Sequence, residues 1–221
     1  MFNQKANKII LILIAVCSTA FFLYWQLYNL DQNSLNVDSA NYYYQAIRLV
    51  GGGKPFLDFI ENKNPGIYYL LSPIAIIYHW NLSGAIIFFA ILGLTNILLT
   101  VLLLNIFIRD KIILAICSLI LTVTYSHNII TQGSFFVMTE IPHLTFSLLG
   151  YYLYFRKKNL FIVGIVLGLA FMMRQTALTD IAVITIYHLS SCLIQKKGFK
   201  FIQKPYTGEK LLEIIKQTKT R

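Results

Sequence analysis

The chain has 221 residues, of which 57% are hydrophobic and 13% charged, and its formal net charge is +10. A soluble domain carries about a quarter charged residues, so this composition argues against a water-soluble fold. The apolar residues cluster in runs near the roughly 20 residues that cross a bilayer as a helix. Lys and Arg stand at the ends of those runs or in the C-terminal tail. That is the placement of topology determinants and membrane-surface contacts, not of a nucleic-acid interface.

The apolar runs fall at 9–29, 66–80, 84–108, 112–130, 141–155, 160–173 and 177–194. Lys5 and Lys8 precede the first. It is too long for a signal-peptide core and no small-x-small cleavage site follows it, so it predicts a retained spanning helix with the N-terminus inside. If 66–80 spanned as well, the clusters Arg109/Lys111 and Arg156/Lys157/Lys158 would both lie outside. If it does not, they fall inside with Lys196, Lys197, Lys200 and Lys204, and only Arg48, Lys54, Lys63 and Arg174 remain outside. The positive-inside rule selects the second count. The run 66–80 is also short, is interrupted by Pro73 and ends in His79-Trp80, which predicts a helix lying in the outer interface. The expected architecture is therefore all-α. It is a polytopic bundle of about six transmembrane helices with both termini cytoplasmic and a first outer loop at about 30–83. Residues 1–194 form the membrane core and 195–221 a basic cytoplasmic tail, as a surface helix or without fixed structure.

Within the first outer loop, Asp38 to Val50 reads as an amphipathic helix with Ala40, Tyr43, Tyr44, Ile47 and Val50 on one face. Asp38 sits where an N-cap belongs, and Gly51-Gly52-Gly53 ends the helix. Lys54-Pro55 starts an extended turn, and the stretch from Asp58 to Pro65 is polar. The second outer loop, about 131–141, carries Glu140, and a third outer turn holds Arg174-Gln175-Thr176. Cys17, Cys117 and Cys192 lie inside apolar runs at spacings that fit neither a zinc site nor a disulfide framework, so they read as packing residues.

The outer carboxylates are Asp31, Asp38, Asp58, Glu61 and Glu140, with Asp180 somewhat deeper. Each has an ordinary structural role open to it. Asp38 can cap a helix, Glu140 can complement a helix dipole, and Lys63 and Arg174 can anchor at the interface. Their ordered combination is more specific. It runs Val37-Asp38-Ser39-Ala40-Asn41-Tyr42-Tyr43-Tyr44, then Gly52-Gly53-Lys54-Pro55-Phe56-Leu57-Asp58-Phe59, then Glu61-Asn62-Lys63-Asn64-Pro65. Thr139-Glu140-Ile141-Pro142 follows, and then Met172-Met173-Arg174-Gln175-Thr176.

This series resembles the N-terminal half of the GT-C membrane glycosyltransferases, nearest the bacterial relatives of protein O-mannosyltransferases and the aminoarabinose transferases. The resemblance covers residues 5–194 in order and departs from the family at Ser39, where an acidic residue often follows the first carboxylate. It implies transfer of a sugar from a polyprenyl-phosphate donor to a lipid, glycan or protein acceptor on the outer face of the plasma or inner membrane. It implies Asp38 and Glu140 as catalytic carboxylates, with Lys63, Arg174, Tyr42 and Asp58 binding substrate, and a separate C-terminal half as a partner. No clustered metal ligands accompany the carboxylates, so no cofactor is expected. The competing expectation is a non-catalytic multi-pass protein, either a small transporter or a subunit that binds a lipid carrier. If the catalytic expectation holds, the side chains of Asp38 and Glu140 share one cavity, because catalytic contacts act at hydrogen-bond reach.

Overall fold

The computed structural model describes residues 4–29, 37–58, 64–79, 81–131 and 137–196. All regular structure among them is helical: α1 (Gln4–Asn29), α2 (Val37–Val50), α3 (Gly66–Ile77), α4 (Leu82–Phe107), α5 (Lys111–Thr131), α6 (Glu140–Phe155), α7 (Leu160–Met173) and α8 (Ala177–Lys196). The all-α expectation therefore holds. One helical segment among the described residues, Gly84–Phe107, is long and apolar enough to cross a membrane by length and composition. Helix α3 has 12 residues. At 1.5 Å per residue it is about 18 Å long, well short of a hydrocarbon layer of about 30 Å. The chain divides into two compact units, Met1–Asp180 and Ile181–Arg221. The second is described only as the continuation of α8 to Lys196.

In the first unit, α2 and α3 pack on each other and on α4. Their shared core holds Tyr42, Ala46, Tyr68, Leu71, Ala85 and Phe89, joined by Val137 and Ile141 at the approach to α6. The buried face of α2 differs from the expected one. Ser39, Tyr42, Tyr43 and Ala46 are buried, whereas Ala40 is exposed and Tyr44 is 58% exposed. The face is turned by about one residue, and at Ala46 the two helices come close enough for the Ser72 hydroxyl to donate to the Ala46 carbonyl at 3.3 Å. The Tyr42 and Tyr68 rings lie 6.3 Å apart at 46°. Tyr43 donates its phenol to the Asn81 carbonyl at 2.9 Å, tying α2 to the start of α4. Burial pushes that phenol's pKa up from its ordinary value.

The glycine stop after α2 forms as expected. Gly51 and Gly53 donate to the Ile47 and Arg48 carbonyls at 3.0 and 2.9 Å, and Gly52 takes a φ of 90° that a side chain would resist. A second cluster joins α1, α4 and α5 through Ile14, Val101 and Leu114. Asp110 caps α5 by accepting from the Ile112 and Ile113 amides at 2.8 and 3.2 Å. Helices α6 and α7 form a hairpin. Asn159 caps α7 by accepting from the Phe161 amide at 2.9 Å. Gly150 lets α7 come close, since a Cβ there would stand 2.6 Å from Leu167 Cδ2.

Candidate functional site

Four helices begin, and one ends, around a single cavity of about 220 Å³. Asp38 comes from the first turn of α2, Asn64 stands two residues before α3, Glu140 is the first residue of α6, and Thr176 directly precedes α8. Met173 and Arg174 close the C-terminal end of α7. Tyr42, one turn along α2 from Asp38, also lines the cavity.

Local sequence explains each placement. Helix α6 begins at Glu140, with Pro142 in its first turn. There the missing N–H costs no intrahelical bond and the carboxylate faces the positive end of the dipole. Helix α7 ends because Arg174 turns extended, at φ −152° and ψ 136°, although its amide still donates to the Ala170 carbonyl at 3.1 Å. The turn 174–176 then folds directly into α8, with the Ala177 and Leu178 amides donating to the Arg174 and Gln175 carbonyls. The start of α3 presses on the end of α7. Gly66 lies against the Met172 backbone, and the Asn64 amide donates to the Phe171 carbonyl.

The charges oppose one another inside this cavity. The Arg174 guanidinium forms an ion pair with the Glu140 carboxylate, and Thr139 donates its hydroxyl to the same carboxylate at 3.2 Å. The Arg174 and Glu140 side chains are 40% and 45% exposed. At that exposure solvent screens the attraction to about 0–1 kcal/mol. The pair can therefore be parted by a competing anion at small cost. The convergence of helix starts adds partial positive charge, which suits an anionic ligand.

Of the sequence-derived site residues, Asp38, Tyr42, Glu140 and Arg174 come together here. The two carboxylates line one cavity, as a shared site requires. Asp58 is not among its walls. It closes its own loop, accepting the Lys54 amide at 2.6 Å while its carbonyl accepts the Arg48 guanidinium at 2.7 Å. The expected substrate contact at Asp58 therefore has no counterpart in the cavity. Lys63, Asp31 and Glu61 lie outside the described residues. Asp38 stands inside the first turn of α2, since the helix starts at Val37, one residue earlier than the expected cap position. Asn64, Thr139, Gln175 and Thr176 are not among the site residues drawn from the sequence, although each lies within two positions of one that is. Among the described residues, no group of three or more His, Cys, Asp or Glu side chains could hold a metal ion.

Comparison with protein-family models, with curated proteins and with solved structures found no match to this chain.

Proposed function

We propose that the chain is a polytopic membrane protein whose cavity at the outer side transfers a sugar from a polyprenyl-phosphate donor to an acceptor, as the resemblance to the GT-C glycosyltransferases implies. The observation that carries this reading is the meeting of Asp38, Glu140 and Arg174 on one cavity. The six-span topology drawn from charge adds support. On that topology the residues lining the cavity belong to the first outer loop, the second outer loop and the third outer turn, and to neither of the inner connections at Arg109 and Arg156.

The chemistry follows from the groups present. An acceptor hydroxyl is a weak nucleophile until a base takes its proton, and a carboxylate at hydrogen-bond distance does so as the bond to the sugar forms. Asp38 is assigned that proton. The bond between the anomeric carbon and the phosphate oxygen breaks as the acceptor oxygen arrives, and the leaving phosphate gathers negative charge. Arg174, at the close of α7 and beside four helix starts, receives that charge with a planar guanidinium that can pair with two phosphate oxygens. Glu140 holds the guanidinium in place until the phosphate competes for it. A single displacement inverts the anomeric centre.

The test is transfer of labelled sugar from polyprenyl-phosphate donors in membranes containing the chain, with the anomeric configuration of the product determined. Transfer with inversion by the wild type, and loss in Asp38→Asn, is the expected result. Equal transfer by both proteins removes Asp38 from the chemistry. A retained anomeric configuration removes the single displacement.

A further inference from the structure

One face of α6 carries a polar stripe that starts at the cavity and runs away from it: Glu140, His143, Ser147 and Tyr151. The intervals of three and four residues place these side chains one above another. Glu140 meets Arg174. The other three converge on one carboxylate. His143 Nε2 lies 3.0 Å from Asp180 Oδ2, the Ser147 hydroxyl donates to Oδ2 at 2.6 Å, and the Tyr151 phenol donates to Oδ1 at 3.0 Å. The group is mostly withdrawn from solvent, with the Asp180 side chain 23% exposed and Ser147 2% exposed. A carboxylate with three donors at these distances is held by charge-assisted bonds, roughly twice as strong as neutral ones. Its removal would strand donors that have little access to water.

Asp180 lies six residues after Arg174, and only the turn 174–176 and the opening of α8 intervene. That turn is tightly bonded within itself, through the Ala177 amide to the Arg174 carbonyl and the Thr179 amide and hydroxyl to the Thr176 carbonyl. It therefore moves with whatever holds its two ends. One end is the close of α7, which packs on α6. The other is Asp180, bound to the same helix by the three donors.

We propose that Asp180 is a positioning residue: its carboxylate, gripped by His143, Ser147 and Tyr151, latches the opening turn of α8 to α6 and so fixes Arg174 opposite Glu140. Asp180 does not touch the cavity ligand. It acts through the turn that carries the guanidinium. The inference rests on the proposed role of Arg174 only for its functional consequence, because the latch itself is a statement about where the turn sits.

Two measurements separate those parts. The first places spin labels at Tyr44 and Leu178, both exposed and neither lining the cavity, in a background with the three cysteines replaced, and reads the distance distribution. Asp180→Ala is expected to broaden it, and Asp180→Glu to narrow it again. Should Asp180→Ala fail to fold, the Ser147→Ala/Tyr151→Phe double variant loosens the same latch and is expected to broaden the distribution likewise. An unchanged distribution overturns the latch. The second measures binding of polyprenyl monophosphate to protein in nanodiscs as a double-mutant cycle. Asp180→Ala is expected to weaken binding about tenfold in the wild-type background and not at all in Arg174→Ala, since coupled residues are not additive. Equal weakening in both backgrounds would mean a general structural role and overturn the positioning. Absence of binding by the wild type would count against the proposed function alone, and the label distances would still decide the latch.

Discussion

Gly66 offers a sharp test of how the cavity is built, because at this position the usual effect of Gly→Ala in a helix is reversed. Alanine in place of an interior helical glycine stabilises by about 0.5–1 kcal/mol. At Gly66, the first residue of α3, a Cβ would stand 2.6 Å from the Met172 carbonyl carbon and 3.0 Å from the Met172 Cβ, where ordinary contact begins near 3.4 Å. The two helices must separate by about 0.8 Å to clear that carbon alone and by more to clear its carbonyl oxygen, and the obstacle is backbone that cannot swing aside. Overpacking of this kind costs about 1–3 kcal/mol. Separation would also weaken the Asn64 to Phe171 hydrogen bond, worth about 0.5–1.5 kcal/mol. The loss outweighs the gain in helix propensity, so Gly66→Ala is expected to destabilise by about 1–3 kcal/mol. For a chain of this size that lowers Tm by roughly 2–12 °C. The assay is thermal unfolding in one detergent, with Gly164→Ala as control, because a Cβ at Gly164 meets nothing within 4 Å. The control should match or exceed the wild type. If Gly66→Ala is as stable as Gly164→Ala, the close approach of α3 to α7, and with it this wall of the cavity, is wrong.

Three further outcomes are expected. Glu140→Gln frees Arg174 from its ion-pair partner, so polyprenyl monophosphate should bind a few-fold more tightly, within the roughly 1 kcal/mol such an exposed pair contributes; weaker binding would assign Glu140 to the ligand. Arg174→Lys should recover only part of the binding lost in Arg174→Ala, because an ammonium lacks the planar fork that pairs with two phosphate oxygens; full recovery would reduce Arg174 to a point charge. Burial raises the Tyr43 phenol in the folded chain, so the fold favours its protonated form. That contribution is complete below the unfolded value near 10 and is lost as pH rises through the higher folded value. Tyr43→Phe should therefore unfold at lower temperature near neutrality, for want of the Asn81 bond, and show a smaller fall in Tm above pH 10; parallel curves would refute the assignment.

The run of helices was legible because each apolar stretch is bounded by charge, glycine or proline, and those signals are local. The start of α6 at Glu140, the stop at Gly51–Gly53 and the turn at Arg174 all follow from residues adjacent in sequence. The buried face of α2 was not legible. Tyr44 and Ile47 outweigh Ser39 and Ala46 in hydrophobicity, yet Ser39 and Ala46 are the ones buried, together with Tyr42 and Tyr43, because tertiary packing and not side-chain size sets the face. Asp58 is held within its own loop, where its carboxylate accepts from the Lys54 amide four residues back, a local contact that its place in the motif does not announce. The Asp180 latch leaves only a partial trace in the sequence. His143, Ser147 and Tyr151 repeat at helical spacing in an otherwise apolar segment, but their common partner lies about 30 residues further on and only the fold brings it across.

In the proposed function Asp38, Glu140 and Arg174 work as one site on a lipid-phosphate sugar. The most direct measurement is the rate of sugar transfer from a polyprenyl-phosphate donor by the chain in nanodiscs, compared with Asp38→Asn at equal folded protein. General-base catalysis contributes about 10²–10⁴-fold, so measurable transfer by the wild type and a loss of at least about 100-fold in the variant are expected. Transfer by Asp38→Asn at the wild-type rate would contradict the proposed function.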